Sequence, residues 1–226
     1  MSKNPRISID PALLSFIAPG MAPRKARRVV TRSGTRSRGN FPSLKASAVR
    51  YESQLELAAW RVLEAADSVE SFGSHPVQLR IEVDPDGAAF RYTPDWSMVM
   101  PWREAVVGEV KPDVKFMKPD VCDRLRKVWS AFERDGTQFV VLLESDLCAA
   151  PGLREELEIL FRSRPWKRNW VACEKASMDE PTNSMDRPFD DAAWVRAAHT
   201  CDELLARVMA RDFDQTLDQA RSWIDV

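Results

Sequence analysis

The chain has 226 residues, 44% apolar and 30% charged, which is the make-up of a soluble globular protein long enough to bury a core. No apolar run approaches the roughly 18–20 residues of a bilayer-spanning helix, and the start lacks the apolar block of a signal peptide, so a cytoplasmic protein without membrane attachment is expected. The net charge of −1 hides an asymmetry: residues 1–50 hold eleven Lys/Arg against the single acid Asp10, whereas the remainder carries 22 basic and 33 acidic side chains. A basic arm on an acidic body points to a nucleic-acid partner. Cys122, Cys148, Cys173 and Cys201 are widely spaced and form no C-x-x-C pair, so they read as idle thiols of a reducing compartment and not as a zinc site.

Residues 1–46 show no sustained periodicity and read as an extended or disordered arm. Its Arg24, Lys25, Arg27, Arg28, Arg32, Arg36 and Arg38 are the candidate DNA contacts. From Tyr51 to Ala66, Leu55, Ala58, Ala59, Val62 and Ala66 recur at helical spacing. Val77–Val83 alternates as a strand, Asp84-Pro-Asp-Gly marks a turn, and Ala88–Tyr92 reads as the returning strand. Asp95–Met100 and Ala105–Lys111 form a second hairpin around Pro101-Trp102. Pro119–Arg134 carries an apolar stripe of Val121, Leu125, Val128, Trp129 and Phe132 and reads as a helix.

The run Gln138-Phe-Val-Val-Leu-Leu is almost wholly apolar, as in a central strand buried on both faces. Pro151–Arg162 is helical, and residues 176–189 read as a linker. Two helices then follow, one capped by Asp190 or Asp191 and running to about Arg211, the other spanning Phe213–Ile224. Trp166-Lys-Arg-Asn-Trp170, with Arg162 and Arg164, interleaves indoles with basic residues. Such a segment suits either a DNA-facing edge or a packed one. The order of elements predicts an α/β fold, a mixed sheet flanked by helices. The predicted body spans residues 47–175, between the arm and a helical segment at 190–226.

Chemistry concentrates in Tyr92-Thr-Pro-Asp95-Trp and Glu109-Val-Lys111-Pro, with the two acids fourteen positions apart. On a strand, Glu109 and Lys111 share a face while Val110 points into the core. A hairpin folded about Trp102 pairs residues whose numbers sum to 204. That register sets Asp95 opposite Glu109 with Cβ atoms roughly 5 Å apart, and a one-residue slip would part them. Two carboxylates so placed need a cation between them. Their hard oxygens, with a strand carbonyl such as that of Val110, suit one or two Mg²⁺ or Mn²⁺ ions. Lys111 could orient an attacking water or stabilise transition-state charge. Glu56, one helical turn after Ser53, is a third candidate acid, and Glu52 lies one turn earlier on the same side.

Tyr51-Glu-Ser-Gln-Leu-Glu56-Leu, Ser74-His-Pro-Val-Gln-Leu, Tyr92-Thr-Pro-Asp95-Trp and Gly108-Glu109-Val-Lys111-Pro, in that order over about residues 48–145, resemble TnsA. TnsA is the endonuclease subunit of heteromeric DNA transposases, of the restriction-endonuclease-like PD-(D/E)XK superfamily. The resemblance implies that Glu56, Asp95 and Glu109 are the acidic catalytic and metal-binding set and that Lys111 is the catalytic lysine. It implies hydrolysis at the 5′ ends of transposon DNA in the nucleoid, beside a DDE transposase of the TnsB type and an AAA+ regulator of the TnsC type. Some members have Gln where Glu109 stands; here the acid keeps the superfamily pattern. Members can also carry a winged-helix-like C-terminal domain. Residues 190–226 offer two helices without a β-wing, which reads as a reduced partner-docking segment, too acidic to read DNA. A stand-alone restriction- or repair-type nuclease and a catalytically silent DNA-binding assembly subunit are the alternatives.

Overall fold

A computed structural model describes residues 6–8, 38–46, 49–76, 78–82, 89–101, 105–164 and 189–225. Its centre is a four-stranded sheet of β4 (Ser71–Ser74), β7 (Trp96–Val99), β8 (Ala105–Lys111) and β9 (Gln138–Leu143), in that spatial order. The β4–β7 and β7–β8 pairs are antiparallel and β8–β9 is parallel, so the sheet is mixed, as expected. Beside it β1 (Arg6–Ser8), β5 (Leu79–Glu82) and β6 (Ala89–Tyr92) form a three-stranded antiparallel sheet. β2 (Gly39–Phe41) and β3 (Val49–Tyr51) form a ribbon.

Alternation along the strands explains the layering. Val106, Val110, Val140 and Leu142 enter one core with α1 (Gln54–Ala65) and two later helices, α5 (Leu153–Ser163) and α6 (Asp191–Ala210). Val107, Phe139, Val141 and Leu143 enter the other. That second core is closed by α3 (Pro119–Asp135) and α7 (Phe213–Ile224), where Phe132 stacks on Phe139 with centroids 5.1 Å apart. Two short helices, α2 (Asp113–Phe116) and α4 (Glu144–Cys148), follow directly on β8 and β9. No helix among the described residues is long and apolar enough to cross a membrane.

Local chemistry sets the ends of these elements. Ser53 caps α1 by accepting from Glu56 N at 3.1 Å, and Asp190 caps α6 from Ala193 N at 2.8 Å. α3 starts with Pro119 in its first turn and stops at Gly136, whose φ of 77° lets the chain turn out of the helix.

Three expectations change. β9 is buried on both faces, yet among the described residues it is an edge strand paired only with β8; helices cover it, with Gln138 donating to the Met209 carbonyl at 2.8 Å. An apolar run records burial of side chains and says nothing about which ladder is complete. The arm, set at 1–46, joins the body at two places. Arg6–Ser8 pairs antiparallel with β5, and residues 39–46 are fastened to α1. There the buried Glu64 carboxylate accepts from Ser43 Oγ (2.5 Å) and Leu44 N (2.8 Å) and pairs with Arg164 (2.8 Å), while Lys45 Nζ donates to the Ala66 carbonyl. Finally, the 190–226 segment is part of both cores: Cys201, Leu204, Leu205 and Val208 fill the first, Phe213 and Ala220 the second.

Candidate active site

The β7–β8 register is the expected one: Trp96 pairs with Gly108, Ser97 with Val107, Met98 with Val106 and Val99 with Ala105. Each pair sums to 204, and one further step along the same register brings Asp95 level with Glu109. The turn around Trp102 itself lies outside the described residues. Gly108 is demanded by this register, because a Cβ there would sit 2.2 Å from the Trp96 indole. The Asp95 main chain is held from the other side as well. His75 N donates to its carbonyl at 2.8 Å, from a left-handed backbone (φ 50°) that ends β4 just before Pro76.

Asp95, Val110, Glu109 and Lys111 form one connected group. Asp95 Oδ2 accepts from Val110 N at 2.9 Å and lies 3.7 Å from Lys111 Nζ, which also ion-pairs with Glu109. Glu109 is only 6% exposed, and its second oxygen accepts from the Tyr92 hydroxyl at 2.6 Å. Val110 points the other way, into the α1-side core.

This crowding shows in the acidities. Burial pushes Asp95 up to about 6, against the pull of Lys111 and of the Val110 hydrogen bond, with Glu56 and Glu52 adding to the rise. Burial pushes Glu109 up to about 7, with Asp95 as the next cause and Lys111 opposing. Burial alone would lower Lys111, but Asp95 and Glu109 together outweigh it and hold the ammonium charged. Tyr92 is raised well above the phenol range by burial and then by Glu109 and Asp95, so its hydroxyl stays protonated and donates.

The group opens onto a cleft of about 590 Å³ lined by Glu52, Glu56, Asp95, Val110, Lys111, Lys115 and Lys118 among others. Glu52 and Glu56 therefore both reach the cleft. Glu56 is also engaged locally, accepting from Glu52 N at 2.8 Å and Ser53 Oγ at 3.1 Å, as a helix-capping acid does. Among the described residues no three Asp, Glu, His or Cys side chains converge into a metal-ion group.

The donor chemistry nonetheless fits a hard divalent cation. Asp95 and Glu109 are carboxylates on adjoining strand ends, their pKa values are raised first by burial and then by neighbouring acids, and Lys111 is the cation that opposes the rise.

The other expected residues divide in two groups. Arg24, Lys25, Arg27, Arg28, Arg32 and Arg36 lie outside the described residues, as do the 176–188 stretch, Cys173 and Trp166–Trp170. Arg38 is half-buried and immediately precedes β2. Arg164 is committed to Glu64 and to the Phe161 and Trp194 rings, and Arg162 pairs with Glu158 on the same helix. Tyr92 is the site residue that reading by motif passed over. Its signal was the position three residues before Asp95, in the Tyr92-Thr-Pro-Asp95-Trp motif, but the strand reading of Ala88–Tyr92 gave it no part in the site.

Comparison with known proteins finds no family model that matches the chain and no curated protein with significant similarity to it.

Proposed function

We propose that the protein is a metal-dependent DNA endonuclease of the PD-(D/E)XK type, acting as the TnsA-like subunit of a heteromeric transposase. One observation carries the reading: the hairpin register sets Asp95 level with Glu109, and Lys111, paired with both acids, lies with Asp95 on the wall of an open cleft. Asp95, Glu109 and the Val110 carbonyl would hold Mg²⁺ or Mn²⁺, and Glu56 would join them on leaving its cap. When bound, the ion would polarise a phosphodiester and acidify a water.

The chain's own residues have separate parts. Tyr92 fixes one oxygen of Glu109, leaving the other toward Lys111. Val110 N fixes Asp95 Oδ2. Lys111, kept protonated by both acids, supplies a positive charge beside the place where a phosphoryl group would gain negative charge. The restriction-endonuclease-like fold, the TnsB-type and TnsC-type partners and a nucleoid location belong to the same proposal.

Its test is cleavage of transposon-end duplex, with and without the DDE transposase, in Mg²⁺. Asp95→Ala is expected to remove nicking by at least about 10³-fold while DNA and partner binding persist; undiminished nicking by this variant would sink the site. Cleavage of any duplex without the transposase would favour a stand-alone nuclease. A catalytically silent assembly subunit is the second reading, favoured by the bond of Lys111 to both acids and of Glu56 to its cap. In that case neither Mg²⁺ nor Mn²⁺ should shift the thermal midpoint or support nicking.

A further inference from the structure

The cleft is lined by charges of opposite sign that come from different elements. Its acids, Glu52 and Glu56, come from the start of α1, with Asp95 ahead of β7. Its lysines, Lys111, Lys115 and Lys118, come from the end of β8 and the turn through α2 to the start of α3. Lys111 is spent on Glu109 and Asp95. Lys115 and Lys118 are exposed, and among the described residues neither forms an ion pair, although Asp120 stands on the same rim. On a body whose acids outnumber its basic residues by half, two ammonium groups beside the site that form no ion pair among the described residues are a local attraction for anions. The acids at the α1 side repel the same anions. A polyanion entering the cleft is therefore drawn to one side of it.

We propose that Lys115 and Lys118 bind phosphates of one DNA strand, so that the strand runs along the β8–α2–α3 side of the cleft toward Lys111. The inference rests on the nuclease reading for the identity of the polyanion as DNA. It assigns these lysines to positioning by backbone charge, which carries no base sequence.

The experiment uses the full chain, chelator to prevent cleavage, and a fluorescein-labelled duplex oligonucleotide titrated by anisotropy at several salt concentrations. Lys115→Gln/Lys118→Gln is compared with Lys127→Gln, an exposed lysine of α3 that does not line the cleft. The double variant is expected to weaken binding and to reduce the slope of log K against log salt by about 2, while Lys127→Gln leaves it nearly unchanged. A double variant that matches Lys127→Gln in both affinity and slope overturns the strand path. Because chelated binding is read separately from Mg²⁺-dependent nicking, the two ideas fail separately. A reduced slope in a protein that never nicks upholds the path and ends the nuclease reading. Nicking by the wild type, with the slope of the double variant unchanged, does the reverse.

Discussion

Asp95 and Glu109 are held in the fold at pKa values of about 6 and about 7, above those of exposed carboxylates, because burial disfavours their charge, with Glu56 and Glu52 adding to the rise of Asp95 and Asp95 to that of Glu109. The folded, metal-free protein thus keeps protons that the unfolded chain has released. For acids raised in the fold, the stabilising contribution is complete below roughly pH 4 and is lost as pH rises through both folded values. Stability is expected to decline from about pH 4 to about pH 8 on this account. Asp95→Asn keeps an acceptor for Val110 N but removes the charge. In chelator at pH 8 it is expected to be more stable than wild type by on the order of 2 kcal/mol, or about 4–8 °C in thermal midpoint. Equal midpoints for the two proteins across this pH range would show that the acids are not strained.

At the scale of elements, two fastenings position the cleft. The first is the β7–β8 hairpin, where Gly108 leaves room for the Trp96 indole and so keeps Asp95 level with Glu109, one step beyond that pair. The second joins α1 to its neighbours through Glu64, which is buried and gathers Ser43, Leu44 and Arg164 around one carboxylate. Since α1 also carries Glu56 at its start, this network sets how the helix meets the sheet. Glu64→Ala leaves the Arg164 guanidinium buried without its counter-charge and is expected to cost about 3–5 kcal/mol in urea unfolding. Glu64→Met combined with Arg164→Met is expected to recover most of that loss, since no charge is then stranded. A cost below about 1 kcal/mol for Glu64→Ala would mean that the 39–46 segment is not anchored there.

Over the whole molecule, the C-terminal helices are structural members of the domain. α6 lies against α1, α5 and β9, and α7 against α2. Arg211, at their junction, reaches Asp146 at 2.7 Å, and the same Asp146 oxygen accepts from Leu143 N at the end of β9. Asp113, just after β8, accepts from Ser145 N and Oγ at 2.9 and 2.7 Å, so the ends of both parallel strands are tied to α4. Truncation after residue 189 would bare the cores lined by Leu204, Leu205 and Phe213. It is expected to abolish cooperative unfolding, seen as loss of the near-ultraviolet circular dichroism and of a single thermal transition. A truncated chain with the wild-type midpoint would restore the segment to the status of a separate docking module.

Periodicity and turn chemistry were enough for the local elements. The helices at 54–65, 119–135 and 213–224, the strands at 105–111 and 138–143, and the Asp95–Glu109 register were all legible because alternation, caps and a fixed hairpin are short-range properties. Longer-range pairing was not legible. The hydroxyl of Tyr92 on Glu109 crosses from one sheet to the other, Arg164 meets Glu64 a hundred residues away, and the strand at 6–8 finds β5 across the arm. The burial of α6 and α7 in the two cores belongs to the same class. Each of these depends on which apolar faces find one another after collapse, and side-chain pattern along one segment carries no information about its partner. The sequence alone therefore determined which residues could do chemistry and how two of them face. Tertiary structure decided what holds them, what shares their charge, and where the cleft opens.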